Sequence, residues 1–137
     1  MLVLDTDVAV AVAMGSDRGK LFRSFINGSS HVIGSEYLIA ESTHVIRKCI
    51  GGNLIEAKDG SKLLRKIDKM IDTFYPIQPD ANEALHESIR LNHSPYDMFN
   101  FILARRYGAT IVSCDQKLID LCVKEGLDVC TEVPLKN

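Results

Sequence analysis

The order of strand-like and helix-like segments predicts an α/β fold: a three-layer α/β/α sandwich with a central parallel sheet of about five strands. Two observations predict it. Short apolar runs, such as residues 1–4 and 111–114, do not alternate with polar residues, which is typical of strands buried on both faces. Longer segments with helical spacing separate these runs, and parallel strands need such crossover connections.

In the first half of the chain, small residues mark the ends of most predicted elements. Gly15–Ser16 ends a short helix that is apolar on all sides, and Asn27–Gly28 ends the next helix. Ser35 is expected to be the N-cap of a long helix that residues 51–53 break. The predicted elements are a strand at 1–5, helices at 8–14 and 21–26, a strand at 31–33, a helix from 35 to about 50, and a helix from about 55 to 74 that Gly60 interrupts.

The second half continues the alternation. Pro79–Asp80 begins a helix that reaches about Asn92, and Gly108 is the expected C-cap of the helix after it. The other predicted elements are a strand at 75–77, a helix at 96–107, a strand at 110–114, a helix at 116–124 and a strand at 127–130, with Lys136–Asn137 frayed. No repeat or linker-like composition intervenes, so we expect one domain over residues 1–137.

Composition excludes several classes of protein. The chain has 137 residues, 46% of them hydrophobic and 25% charged, as in an ordinary globular domain. The net charge of −2 excludes a generally basic nucleic-acid binder, so a nucleic acid would have to be met by local basic patches or by a metal. No apolar run approaches the ~20 residues that span a membrane, and the N-terminus lacks the basic segment of a signal peptide.

Cysteine and histidine spacing favours neither a disulfide framework nor a zinc site. No cysteine pair has C-x-x-C spacing, which favours free thiols in a reducing cytoplasm. His86–Glu87 begins like a zincin helix, but Arg90 stands where the second histidine ligand would be.

Four acidic residues occupy positions that indicate a functional site. Asp5 and Asp115 each follow directly on an apolar run, so in a parallel sheet both lie at the carboxyl edge, where α/β sheets bind ligands. Glu41 shares an apolar helical stripe with Leu38 and Val45, and an acid there must reach solvent or find partners. Asp97 opens a predicted helix.

Carboxylates gathered at one edge repel one another by a few kcal/mol per pair, at roughly 5 Å and an effective dielectric near 20. A cation or a proton must therefore neutralise them, and hard divalent cations take oxygen ligands. Each acid also has a structural interpretation: Asp5 and Asp115 as N-caps, and Asp97 as a first-turn acid. Asp7 is either a fifth carboxylate or, as we favour, the cap of the first helix.

The motifs Leu4-Asp5-Thr6-Asp7-Val8, Tyr96-Asp97 and Val112-Ser113-Cys114-Asp115, with the helical Glu41 between them, resemble the PIN domain family, in particular its VapC-type toxin ribonucleases. The resemblance implies a five-stranded parallel sheet and Mg²⁺- or Mn²⁺-dependent cleavage of RNA. It places Asp5, Glu41, Asp97 and Asp115 on the family's four acids. Ser113 matches its hydroxyl residue, and Thr6 and Asp7 become accessory residues.

Two positions depart from the family pattern. Asp7 stands where many members have asparagine, and Lys117 stands where some have a further acid. The second departure leaves open whether one or two metals bind. Among basic residues, Arg47, Lys48 and Arg105 are weak candidates for substrate contact, and Lys62, Arg65, Lys66 and Lys69 are best interpreted as a solvated helix face.

The resemblance also implies partners. A toxin-type member would be held by a cognate antitoxin protein. We also expect a homodimer, because the apolar stretch Val8–Met14 and the face formed by Leu21, Phe22, Phe25 and Ile26 exceed what one small core needs.

Three other functions remain open. A haloacid-dehalogenase-like phosphohydrolase fits Asp5 and Asp7, but position 9 is alanine and a catalytic lysine would be needed. A receiver-like signalling module would want a more regular alternation of strand and helix. The third is a PIN protein that is not a toxin, either a housekeeping RNA-processing nuclease or a scaffold that binds without cutting.

Overall fold

The computed structural model describes residues 1–29 and 31–132, and it contains one five-stranded sheet in which every strand pair is parallel. The spatial order is β3-β2-β1-β4-β5. The strands are β1 (Leu2–Leu4), β2 (Val32–Ser35), β3 (Thr73–Tyr75), β4 (Thr110–Val112) and β5 (Val129–Cys130). The frayed end predicted at Lys136–Asn137 lies outside the described residues.

Helices connect the strands, and two short 3₁₀ turns at Ala57–Asp59 and Gln78–Asp80 precede α4 and α5. The helices are α1 (Thr6–Met14), α2 (Asp17–Asn27), α3 (Tyr37–Gly51), α4 (Gly60–Met70), α5 (Ala81–Leu91), α6 (Pro95–Tyr107) and α7 (Gln116–Lys124). None of these described helices combines the length and apolar character that crossing a bilayer requires.

Two apolar cores lie on opposite faces of the sheet, which confirms the three-layer sandwich. Alternate residues of a strand point to opposite faces. Leu2 and Leu4 accordingly pack with α1 to α4 in one core. Val3, with Ile33 and Ile111 of the flanking strands, packs with α5, α6 and α7 in the other.

A glycine sets the close approach of α1 and α2. A Cβ at Gly19 would lie 2.1 Å from the carbonyl oxygen of Ala11, so only glycine fits there. The turn between the helices is made by Gly15, whose φ of 68° lies in the left-handed region. These two glycines place α1 tightly against α2.

Three predictions about local structure are wrong. Ser35 is not an N-cap, because its backbone pairs with Tyr75 as the last residue of β2, and Glu36 occupies the cap position. The predicted boundary between a helix that reaches residue 74 and a strand at 75–77 lies too late. The helix ends at Met70, and the strand is Thr73–Tyr75, which pairs with β2. Asp7 does not cap α1, since the cap is Asp5.

The apolar stretch Val8–Met14 packs inside the molecule and does not form an exposed surface for an interface. Most of α1 is buried within the protomer, where α2, α3 and α4 pack against it. On α2, Phe22 and Ile26 are also buried, whereas Leu21 and Phe25 stay 65% and 43% exposed.

The direction of strand addition reverses between β1 and β4. From β1 the chain adds β2 and β3 on one side, and then β4 and β5 on the other. Such a switch point opens a crevice at the carboxyl ends of β1 and β4. Residues that directly follow β1 and β4 therefore lie at this crevice.

Candidate functional site

Asp5 lies at the switch point, directly after β1. Its backbone N–H donates to the Val112 carbonyl of β4 at 2.9 Å, which ties the end of β1 to β4. One carboxylate oxygen accepts from the Thr6 backbone N–H at 2.9 Å and the other from the Ser113 hydroxyl at 2.8 Å. The residue is only 8% exposed.

Burial makes the charge of Asp5 costly. It raises the pKa of this carboxyl from 3.8 to about 7, with further raising contributions from the nearby charges of Asp97 and Asp7. The hydrogen bonds from Ser113 and Thr6 lower the pKa but do not offset the burial. A carboxylate in this state gains strongly from a bound cation, which would keep it ionised at neutral pH.

Glu41 approaches the same place from α3. It accepts a very short hydrogen bond from the Thr6 hydroxyl and one of 3.4 Å from the Tyr37 hydroxyl. These donors explain how an acid is tolerated in an apolar helical stripe. Thr6 donates to Asp5 through its backbone and to Glu41 through its side chain, so it joins two of the four acids.

Asp97 lies in the first turn of α6, where the helix dipole favours an acid. His93 contacts it, with 2.7 Å between the histidine Nε2 and a carboxylate oxygen of Asp97. Asp97 is also close enough to Asp5 to raise its pKa. His93 was not among the residues predicted from sequence, although its position four residues before Asp97 could have indicated the contact.

Asp115 follows β4 and caps α7 by accepting from the backbone N–H groups of Lys117 and Leu118. Its own N–H donates to the Ser113 hydroxyl at 3.0 Å. Since that hydroxyl also donates to Asp5, the fully buried Ser113 links the ends of β1 and β4. The structural interpretation of Asp115 as an N-cap is correct, and both cap contacts go to the same carboxylate oxygen, Oδ1.

The fit to a divalent cation rests on the donor chemistry. The donors at this edge are carboxylate and hydroxyl oxygens, which Mg²⁺ and Mn²⁺ prefer, and Asp5 is a buried carboxyl that a cation would stabilise. Among residues 1–29 and 31–132, no three His, Cys, Asp or Glu side chains already form a metal-binding group. Glu41, Asp97 and Asp115 are instead held by protein donors.

The other candidate residues lie around this centre. Asp7 is an exposed first-turn acid of α1. Arg47 and Lys48 are exposed on α3, six and seven residues beyond Glu41, which is about 9–10 Å of helix rise. Arg105 pairs with Glu83 and Glu87 of α5 and lies over the ring of Phe101.

A separate depression of about 520 Å³ lies at the amino end of β2 and includes none of the four acids. Arg23, Lys66 and Lys69 line it, with Asp72. Two of these cations donate to carbonyls at the end of α1: Arg23 to Val12 and Lys66 to Ala13. Their contacts fit a structural role at a helix C-terminus.

A family model for the PIN domain matches residues 2–124. The chain belongs to the PIN domain family. PIN domains are generally nucleases, so membership supports a nucleic-acid-hydrolysing activity. No curated protein matches the chain in a sequence comparison.

Solved structures share this fold at low sequence identity. PAE2754 from Pyrobaculum aerophilum has a TM-score of 0.73 at 16% identity, covering 93% of this chain and 82% of its own. VapBC2 from Rickettsia felis, bound to a DNA fragment from their promoter, has a TM-score of 0.64 at 14% identity, covering 95% and 97%. FitAB bound to an IR36 DNA fragment has 0.68 at 13% identity, covering 100% and 99%.

Proposed function

We propose that this PIN protein is a divalent-metal-dependent endoribonuclease and the toxin of a toxin–antitoxin pair. The observation behind the proposal is the burial of Asp5 and the raised pKa of its carboxyl. A buried carboxyl with a pKa raised to about 7, at the switch point and within the influence of Asp97, fits a cation site better than a purely structural cap. Family membership supports the nuclease chemistry.

Each acid has a role in the proposed site. Asp5, Asp97, Asp115 and Glu41 would hold Mg²⁺ or Mn²⁺. A bound ion of this kind lowers the pKa of an attacking water and neutralises charge on the phosphate. Ser113 keeps the Asp5 carboxylate oriented toward the crevice, His93 orients Asp97, and Thr6 spaces Asp5 from Glu41. Asp7 adds negative charge at the rim.

The test is cleavage of a labelled single-stranded RNA in Mg²⁺, in Mn²⁺ and in EDTA. Wild-type protein should cut only with a cation, and Asp5→Asn and Asp97→Asn should lose activity by at least about a hundredfold while remaining folded. Asp68→Asn is the matched control, because Asp68 is an exposed acid on α4. Unchanged cleavage by folded Asp5→Asn, or cleavage in EDTA, would overturn the proposal.

The substrate distinguishes the alternative phosphohydrolase from the proposed nuclease. A haloacid-dehalogenase-like enzyme would release phosphate from a small phosphomonoester, whereas the proposed nuclease acts within an RNA chain. The chain's PIN fold and the alanine at position 9 both weigh against the phosphohydrolase. Phosphate release from p-nitrophenyl phosphate without RNA cleavage would favour it.

The antitoxin partner, the homodimer and a cytoplasmic location belong to the same proposal. The antitoxin is supported by the resemblance to VapC-type toxins and by the likeness of fold to VapBC2 and FitAB. The exposed Leu21 and Phe25 on α2 support a dimer contact. Rescue of growth by a co-expressed neighbouring gene product, after induction of this protein arrests growth, would separate a toxin from a housekeeping PIN nuclease.

A further inference from the structure

Two tyrosine rings stack beside the acids at the carboxyl edge. The rings of Tyr37 and Tyr96 are 5.3 Å apart and nearly parallel, with 8° between their planes. Phe99 packs against the same Tyr37 ring at 6.1 Å in a tilted arrangement. None of the roles assigned to the four acids uses these rings.

The stack belongs to the acid site by position as well as by contact. Tyr96 directly precedes Asp97, and Tyr37 lies one helical turn before Glu41 and donates its hydroxyl to that carboxylate. The ring pair therefore joins the residue that contacts Glu41 on α3 to the residue next to Asp97 on α6. The stack therefore bridges α3 and α6 next to the proposed reaction centre.

Tyr96 presents aromatic surface to solvent. It remains 59% exposed although one of its neighbours is the parallel ring of Tyr37. An exposed ring already held by a second ring loses little conformational freedom when a third flat group stacks on it. Unpaired nucleobases are such flat groups, and base stacking on aromatic side chains is a main source of affinity for single strands.

Charge favours a base over a phosphate at this position. Acidic side chains next to the rings repel the RNA backbone wherever no cation bridges them. A neutral base experiences no such repulsion and gains from burying apolar surface. Bases in a duplex are stacked on their neighbours and paired, so only an unpaired base can reach the ring.

We infer that Tyr96, supported by Tyr37, is a stacking platform for the unpaired base next to the phosphate that is cut. The inference rests on the proposed function and names the residue that would receive an unpaired base. Tyr96 is then a substrate-binding residue whose ring packs against that of Tyr37.

A second tyrosine pair provides the matched control. Tyr75 and Tyr107 are also stacked, with 5.0 Å between their centroids. Tyr107 ends α6, eleven residues and about 16 Å of helix rise beyond Tyr96. It is also 39% exposed, so Tyr107→Ala removes a similar stacked ring from the same helix, away from the acids.

The experiment measures binding of a single-stranded RNA that contains 2-aminopurine. EDTA prevents cation-dependent cleavage, and about 0.5 M salt screens the repulsion between the acids and the RNA backbone. Tyr96→Ala should weaken binding about tenfold or more, while Tyr96→Phe and Tyr107→Ala stay within about twofold of wild type. Wild-type protein should quench 2-aminopurine in a loop but not in a hairpin stem. This quenching uses no variant, so it tests the inference even if Tyr96→Ala fails to fold.

The outcomes separate the inference from the proposed function. If wild type cleaves RNA but Tyr96→Ala binds as tightly, or if Tyr107→Ala weakens binding equally, the platform is refuted and the nuclease remains. If Tyr96→Ala keeps RNA affinity but no longer binds the antitoxin, the rings belong to a protein interface and the inference is also refuted. If wild type neither binds nor cuts RNA, both proposals fail.

Discussion

At the scale of single residues, Asp5 combines two opposed requirements. It caps α1 and joins β1 to Ser113, yet its ionised form is disfavoured by burial and by its acidic neighbours. A residue chosen only for capping would not need a buried charge, since asparagine and serine cap equally well. The presence of aspartate at position 5 is therefore better explained by the proposed cation binding than by helix capping.

The first prediction concerns pH and stability in EDTA. Because the folded-state pKa of Asp5 is about 7 and its ordinary value is 3.8, the unfolded chain loses this proton first as pH rises. Asp5 therefore lowers the free energy of unfolding between about pH 4 and pH 7, by up to about 4 kcal/mol. In urea unfolding, the difference between the free energy of unfolding of Asp5→Asn and that of wild type should therefore grow in favour of the variant as the pH rises over this range.

Asp68→Asn, at an exposed acid of α4, is again the matched control for the substitution itself. A constant difference between Asp5→Asn and wild type from pH 4.5 to pH 8 would contradict the burial argument for Asp5.

The second prediction concerns His93. If this side chain orients Asp97 for a cation, His93→Ala should raise the Mg²⁺ concentration needed for half-maximal cleavage about tenfold or more, as loss of supporting contacts to metal ligands does. His86→Ala, an exposed histidine on α5, should leave it unchanged. An unaltered Mg²⁺ dependence in His93→Ala would remove the positioning role.

At the scale of elements, the contact of α1 with α2 has a sharp steric requirement. Gly19→Ala would drive a Cβ into the backbone of Ala11, and neither helix can move without disturbing the core beneath α1. The third prediction is a loss of at least about 2 kcal/mol in the free energy of unfolding. At Gly28 an added Cβ meets its nearest atom at 3.5 Å, so Gly28→Ala should cost less than about 1 kcal/mol.

Circular dichroism during thermal unfolding measures both variants. Equal melting temperatures for Gly19→Ala and Gly28→Ala would contradict the close packing of the two helices.

The boundaries of elements were predictable where local chemistry decides them. Gly15 and Gly108 end their helices in the left-handed conformation that the sequence analysis assumed at Gly108. Ser35 and Phe74 were assigned wrongly because strand pairing between β2 and β3 overrides local helix signals. Pairing between distant segments is a tertiary effect that neighbouring residues do not encode.

At the scale of the whole molecule, the topology could be anticipated and the side-chain partners could not. Apolar runs followed by acids predicted parallel strands that end at one edge. Asp5 directly follows β1, the central strand, and Asp115 lies three residues after the end of the adjacent β4. Nothing local indicated that Thr6 would reach Glu41, 35 positions away, or that Tyr37 would stack on Tyr96. Such contacts depend on how α3 and α6 approach the sheet.

The fourth prediction concerns assembly. If Leu21 and Phe25 form a dimer contact, wild-type protein should sediment near twice 15.2 kDa at micromolar concentration, and Phe25→Glu should sediment as a monomer. Leu54→Glu, at an exposed leucine in the turn after α3, should not change the mass. A monomeric wild type would remove this contact.

The central claim is that the carboxyl edge of the sheet binds a divalent cation, and titration calorimetry with Mn²⁺ tests it most directly. Wild type and Asp68→Asn should bind Mn²⁺ with equal affinity, while Asp5→Asn and Asp97→Asn should bind at least about tenfold more weakly. Absence of Mn²⁺ binding by folded wild type, or undiminished binding by Asp5→Asn, would contradict the account.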